Sequence, residues 1–343
     1  MTGGLFKMVD VTFNPPSFIQ THHIRTDEFA AELARGLGQG QAMMAPKFFY
    51  NELGSGLFNA ITALPEYYPT RTEAAIFARH SADMARQVPA RSVMIDLGAG
   101  CCTKAARLFP SFQPQAYVAV DISVEFLRAT LHHLAPQHPK LHMLGLGMDF
   151  SSRLAWPSEA HTWLQERQLS GHSRLLFYPG SSIGNFNPEQ ALAFLRQAHT
   201  LCQEGGPDGG MLIGFDLVKG KAVLEAAYDD SLGVTAAFNR NVLAHANAIL
   251  GSDFDPRLWA HVAFFNQAES RIEMHLQSRR RQTVRWPGGE RTFEEGERIH
   301  TENSYKWTPA ALEDLLRQAG FKPVRQWRDE RDWFSLAWAR AHA

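Results

Sequence analysis

Apolar positions along the chain gather into short continuous runs that end on glycine or on an acid, with helical stretches between them. Thr72 is placed to cap a helix running through Ala74, Ala75, Ile76 and Phe77 towards Met84. Residues 92–97 then form an apolar run that gives way to Gly98-Ala99-Gly100, and 116–121 form a second that ends on Asp121. A third, 141–144, leads to Gly147-Met148-Asp149-Phe150. The fourth, 173–178, runs into Pro179-Gly180-Ser181-Ser182-Ile183-Gly184-Asn185-Phe186, and the fifth covers 211–216. Strands covered on both faces show no alternation, so these runs predict a parallel sheet. Asn187-Pro188 supplies an N-cap and first position for a helix to about Cys202, and Thr308-Pro309 opens one that stops at Gly320. The runs 321–327 and 333–340, split by the polar turn 328–332, predict an antiparallel hairpin at the end of the chain.

Repeated strand–helix units predict an α/β fold with a doubly wound, Rossmann-like sheet. Residues 216–307 break that rhythm, with helices expected over 221–228 and 234–250 and strands near 261–265 and 271–279. This block is expected to pack with residues 1–72 as a second, α+β substrate-binding lobe, leaving 73–215 and 308–343 as the cofactor-binding domain. A cleft between the two would open above the strand C-termini, where open α/β sheets bind ligands.

Composition narrows the function classes. The 34 Lys+Arg balance 35 Asp+Glu, a formal net charge of -1, which argues against sequence-independent nucleic-acid binding. No run approaches about 20 apolar residues, so no membrane span is expected. The start Met1-Thr2-Gly3-Gly4-Leu5-Phe6-Lys7-Met8 lacks the basic-then-apolar layout of a signal peptide, and a cytoplasmic location follows as the default. A monomer acting on a small molecule is the expectation. Cys101, Cys102 and Cys202 offer neither a disulfide framework nor a zinc spacing, the 15 histidines show no metal motif, and no metal is expected.

The strand ends carry candidate chemistry in order. Gly98 and Gly100 permit close backbone approach of a ligand, but Thr103 stands where a dinucleotide fingerprint needs its third glycine. Asp121, ending the next strand, suits two ribose hydroxyls. Asp149 and Phe150 suit an adenine amine and ring face, and Lys104 suits the carboxylate of a methionine-type tail. A terminal hairpin beside such a site is the arrangement of S-adenosylmethionine-dependent methyltransferases; a nicotinamide-dependent oxidoreductase, the alternative of a different class, usually continues its parallel strands.

Four further patches read as more than packing: 48–55, 64–73, 228–230 with 237–241, and 301–306. Three of the chain's seven tyrosines, Tyr50, Tyr67 and Tyr68, fall in the first two. In LPEYYPTRTE (64–73), GSSIGNF (180–186), DLVK (216–219), YDDSLGVTAAFNRNVL (228–243), RIEM (271–274) and TENSYK (301–306), the chain resembles the L-histidine Nα-methyltransferases of ergothioneine biosynthesis. The likeness runs from about Pro46 to the C-terminus. It implies that Gly98, Lys104, Asp121, Asp149 and Phe150 bind S-adenosyl-L-methionine, and that Tyr67, Asn185, Tyr228, Glu302 and Ser304 hold the amino acid, with Tyr50 close to its amine. Asp96, Ala99, Cys101 and Cys102 depart from the glycine turn usual in that family, which carries a Glu before it and small hydroxyl residues after it.

Physical chemistry gives those implied roles content. Glu302 would accept from one imidazole nitrogen while Ser304 serves the other, and Asn185 with Tyr228 would fix the α-carboxylate and aim the amine. Tyr50 and Asn185 are thus the candidate catalytic residues, with Tyr50 or water relaying the amine proton. The faces of Tyr50 or Phe48 would stabilise a methylated ammonium. The resemblance implies trimethylation to hercynine; the same reaction on another amino acid such as tryptophan, or an idle S-adenosylmethionine sensor, are the competing expectations.

Overall fold

A computed structural model describes residues 13–21, 26–122, 124–151 and 153–342; the reading of the first eight residues lies outside these. Thirteen strands are named among them: β1 (Ser17–Gln20), β2 (Val93–Leu97), β3 (Ala116–Asp121), β4 (His142–Gly147), β5 (Arg174–Tyr178), β6 (Gly210–Asp216), β7 (Trp259–Asn266), β8 (Arg271–Ser278), β9 (Gln282–Trp286), β10 (Gly289–Phe293), β11 (Arg298–Tyr305), β12 (Lys322–Arg328) and β13 (Phe334–Arg340).

Eight of them form one sheet in the order β1-β4-β3-β2-β5-β6-β13-β12. The strands β2, β3, β4, β5 and β6 run parallel, while β13 lies antiparallel to both β6 and β12. The five predicted parallel runs and the closing hairpin are all present. Each central strand is buried along nearly its whole length because helices cover both faces, and two apolar cores lie on opposite sides.

Two local differences from the sequence expectations have clear causes. Strand β1 adds a parallel edge beside β4 within the stretch expected in the second lobe. Gly145 and Gly147 make room for it: a Cβ there would come within 2.7 Å of Phe18 and 2.3 Å of Gln20. The first helix of the sheet runs Tyr68–Gln87, so Thr72 lies inside it and not at its cap. Pro69 fixes a helical φ in the first turn, where its missing N–H has no partner to lose, and nucleation moves upstream.

Beside the sheet stands a second layer, in which β7, β8 and β11 form an antiparallel sheet in the order β11-β8-β7 and β9 pairs with β10. The helix Val234–Leu250 packs on it, and the apolar cluster there includes Phe48, Phe49, Phe238, Trp259 and Leu276. No helix among the described residues is long and apolar enough to cross a membrane.

Candidate active site

The C-terminal ends of β2 to β6 converge on one edge of the sheet, and the second layer closes over them. Leu97 leads into Gly98 and Gly100, both in the left-handed region (φ +73° and +49°). Asp121 at the end of β3 accepts from the Gly100 N–H at 3.0 Å. Beyond β4, the Phe150 ring lies 3.6 Å from where a Gly98 Cβ would stand, so Gly98 and Phe150 wall the same space. Asp149 is held by Ser151 and by the Lys47 ammonium at 3.0 Å. Burial opposes its charge, yet those partners keep its pKa below the ordinary carboxylate value.

Lys104 is tied down. Its Nζ lies 2.6 Å from Glu73, a carboxylate only 1% exposed whose other oxygen accepts from the Gly180 N–H at 2.7 Å. The Lys104 ammonium is also 3.3 Å from where a Gly180 Cβ would stand, so the glycine lets the cation reach the edge of the cavity. Glu73 was not among the expected site residues; its role depends on partners 31 and 107 residues away.

One cavity joins this edge to the second layer. All six residues expected to hold or activate the amino acid line it: Tyr50, Tyr67, Asn185, Tyr228, Glu302 and Ser304. Asn51 positions the first. Its Oδ1 caps the helix Glu52–Thr62 at the Gly54 N–H and also accepts from Asn241. Gly54 is required there, since a Cβ would overlap the Phe49 carbonyl. Asn185 ends the short helix Ser182–Asn185 that follows β5. Glu302 and Ser304 reach the cavity because β11 bulges between His300 and Glu302. His300 pairs with His275, whereas Glu302 pairs with the cavity residue Met274, so the extra residue turns Glu302 onto the cavity face.

Aromatic rings surround the polar groups. Phe58 sits edge-on to Tyr50 at 5.8 Å and to Tyr67 at 6.2 Å, and Phe238 lies edge-on to Tyr50 at 5.8 Å. Phe48, expected as a cation-stabilising face, instead packs edge-on against Phe29 in the apolar core. Phe58 and Phe238 line the cavity instead; Phe58 was missed and Phe238 was singled out only within the patch 237–241, because only the fold brings their separate helices together.

Burial raises the Tyr50 hydroxyl well above its ordinary pKa, and the Glu302 charge adds to this, so both favour the neutral phenol. Tyr67 and Tyr228 are raised for the same main reason. Glu302 is pushed up to about 7 by burial, against the opposing charge of Lys306. Its carboxylate has no hydrogen-bond partner among the described residues. The Tyr228 hydroxyl, expected at a carboxylate, is 2.7 Å from Ser304 Oγ, expected at a ring. Behind them lies Asp216, which accepts from Tyr68 at 2.6 Å and pairs with Lys219 and with Lys306 at 2.8 Å. Burial opposes its charge, but the two lysines keep its pKa lowered. The motifs DLVK and TENSYK carried these residues, but their pairing could not be read from them.

Glu273, His275 and His300 lie close enough to hold a metal ion. Glu273 already takes Asn266, Arg271 and His275, so its oxygens are committed.

A parallel sheet whose last strand is reversed, with glycine, acid and ring at successive strand ends, defines an α/β methyltransferase. A family model described as "Histidine-specific methyltransferase, SAM-dependent" matches residues 29–341, and the chain belongs to that family. It is 37% identical to the histidine N-alpha-methyltransferase of Mycobacterium tuberculosis over 89% of this chain and 92% of that protein. Identity to the histidine N-alpha-methyltransferase of Mycolicibacterium smegmatis is 35%, over 93% of this chain and 98% of the other. Ergothioneine biosynthesis protein 1 of Neurospora crassa is 30% identical over 84% of this chain, which spans 32% of that longer protein. The nicotinamide-dependent alternative is thereby set aside.

Proposed function

We propose that this cavity methylates the α-nitrogen of L-histidine, in three successive transfers that give the betaine hercynine. One observation carries the reading: an enclosed carboxylate with no hydrogen-bond partner among the described residues, Glu302, shares an aromatic-walled cavity with the Ser304 and Tyr228 hydroxyls, at the ends of β5 and β6. An imidazole presents a donor nitrogen and an acceptor nitrogen, which match that pair.

The strand ends fit S-adenosyl-L-methionine. Asp121 would accept from the ribose hydroxyls, and Asp149 with Phe150 would hold the adenine. Lys104, held by Glu73, would meet the carboxylate of the tail. When bound, the cofactor supplies an electrophilic methyl on a sulfonium. The chain's own residues then have to orient a neutral amine and exclude water, so most of the acceleration comes from positioning. Asn185 takes the α-carboxylate, and Tyr50 hydrogen-bonds near the amine as a neutral hydroxyl. Tyr50, Phe58, Tyr67 and Phe238 supply the ring faces for the growing ammonium head.

In this reading the sheet, residues 73–215 with 308–343, serves the cofactor. Residues 1–72 with 216–307 serve the amino acid, although β1 joins the sheet. The enzyme works as a cytoplasmic monomer on a free amino acid. Kinetics with each amino acid test the assignment. Glu302→Ala should raise the KM for histidine at least about tenfold, since a buried hydrogen bond to a charged group contributes about 1.5–3 kcal/mol. An unchanged KM, or faster methylation of tryptophan than of histidine by the unaltered chain, would remove it.

A further inference from the structure

The cluster around Asp216 sets two ammonium groups against one carboxylate. Lys306 is fully enclosed, and its Nζ has three partners: Asp216 at 2.8 Å, Ser304 Oγ at 2.8 Å and the Tyr228 hydroxyl at 3.1 Å. An ammonium has three N–H donors and no acceptor, so every hydrogen is committed and each hydroxyl oxygen accepts one. The two oxygens are themselves 2.7 Å apart, which places one hydroxyl hydrogen between them. Two hydroxyls carry two hydrogens, so one is left. It belongs to the oxygen whose lone pairs are both occupied, by Lys306 and by the other hydroxyl. Towards the cavity that oxygen is a donor only, while the hydroxyl that donates to it keeps one free lone pair.

We propose that Lys306 is a specificity-determining, positioning residue: by filling a lone pair on both Ser304 and Tyr228, it obliges the pair to present one O–H donor that reads the unprotonated nitrogen of a neutral imidazole. The inference rests on the histidine reading of the cavity. Glu302 stands two residues from Ser304 on the same strand and the same cavity, and it supplies the acceptor for the protonated ring nitrogen. One acceptor and one enforced donor match a single neutral tautomer. An imidazolium would leave the enforced O–H without an acceptor, its second N–H reaching at best the single remaining lone pair, and would bring a cation towards the enclosed Lys306 charge. A ring lacking the acceptor nitrogen would leave the O–H unpaired. Asp216 holds Lys306 in place, and Lys219 shares the other carboxylate oxygen, so the donor pattern is set before any ligand arrives.

Two measurements test this. Ring-15N-labelled histidine, bound to the unaltered chain with S-adenosylhomocysteine, should show one protonated and one bare nitrogen; a doubly protonated ring overturns the proposal whatever happens to any variant. The second compares kcat/KM for histidine with that for an alanine bearing a pyrrole, in which a C–H replaces the acceptor nitrogen. The unaltered chain should favour histidine at least about tenfold, mostly through KM. In Lys306→Met, with Lys306→Gln beside it should the first not fold, that preference should shrink to about threefold or less, because the hydroxyl pair is then free to turn its hydrogen towards Asp216. A merely structural lysine would lower both substrates alike, and an unchanged ratio overturns the inference. A chain that methylates no histidine refutes the functional reading itself. One that methylates histidine with either contrary result refutes only the role of Lys306.

Discussion

The Lys47 ammonium lies 3.0 Å from an Asp149 carboxylate oxygen, joining the segment that leads into Tyr50 to the acid beyond β4. Glu32 holds the same ammonium at 2.8 Å, and the Phe29 ring lies 4.8 Å from it. One cation therefore ties the segment before Tyr50 to the strand end proposed to meet adenine. Lys47→Met should weaken S-adenosylhomocysteine binding about two- to tenfold, through an Asp149 carboxylate less firmly ionised and oriented. Calorimetry reads this directly, and an unchanged affinity would detach Asp149 from the cofactor.

Glu302 gives a pH signature. Its pKa is about 7 in the folded chain against an ordinary 4.5, so between those values the folded state binds more protons than the unfolded one. Stability from this group is present at acid pH and is lost as pH rises from about 4.5 to about 7. Glu302→Gln removes that loss. Relative to the unaltered chain, the variant should gain about 1–3 kcal/mol on going from below 4.5 to above 7, read by urea unfolding across that range. A difference independent of pH would mean that the carboxylate is not held at a raised pKa.

The strands were legible wherever burial is complete: 116–121 matches β3 residue for residue because its apolar run is bounded by glutamine and by an acid. Strands β9 and β10 were not, since QTVRW and GERTF mix charges with few large apolar residues around Pro287 and Gly288. Five of the six residues expected to hold the amino acid sit in the motifs and Tyr50 in the patch 48–55, and all six line one cavity. The ion pairs behind them could not. Glu73 reaches Lys104 and Gly180, and Asp216 reaches Lys306, through tertiary folding that no local spacing encodes. The bulge that turns Glu302 inward is equally invisible, because β11 lacks a glycine to mark it.

Phe58→Leu keeps bulk but removes a ring from the wall beside Tyr50 and Tyr67. Cation–aromatic attraction of about 0.5–2 kcal/mol would be lost for the methylated ammonium, not for the neutral amine. The Kd for the trimethyl product, whose charge is permanent, should rise about two- to thirtyfold, more than that for histidine. Equal changes in both Kd values would argue against an aromatic cage.

Glu73→Gln leaves Lys104 without its ion pair while preserving an acceptor for the Gly180 N–H. Global stability should fall by about 1–3 kcal/mol, and S-adenosylhomocysteine affinity should fall with it as Lys104 loses its fixed position. Retained affinity in the folded variant would show that Lys104 does not need Glu73 to meet the cofactor tail.

The most direct test follows the α-nitrogen itself. Mass spectrometry with fragmentation, on L-histidine incubated with this chain and S-adenosyl-L-methionine, should show successive methyl additions confined to that nitrogen and ending at the trimethyl betaine. Methyl groups on a ring nitrogen, or none at all, would contradict the account.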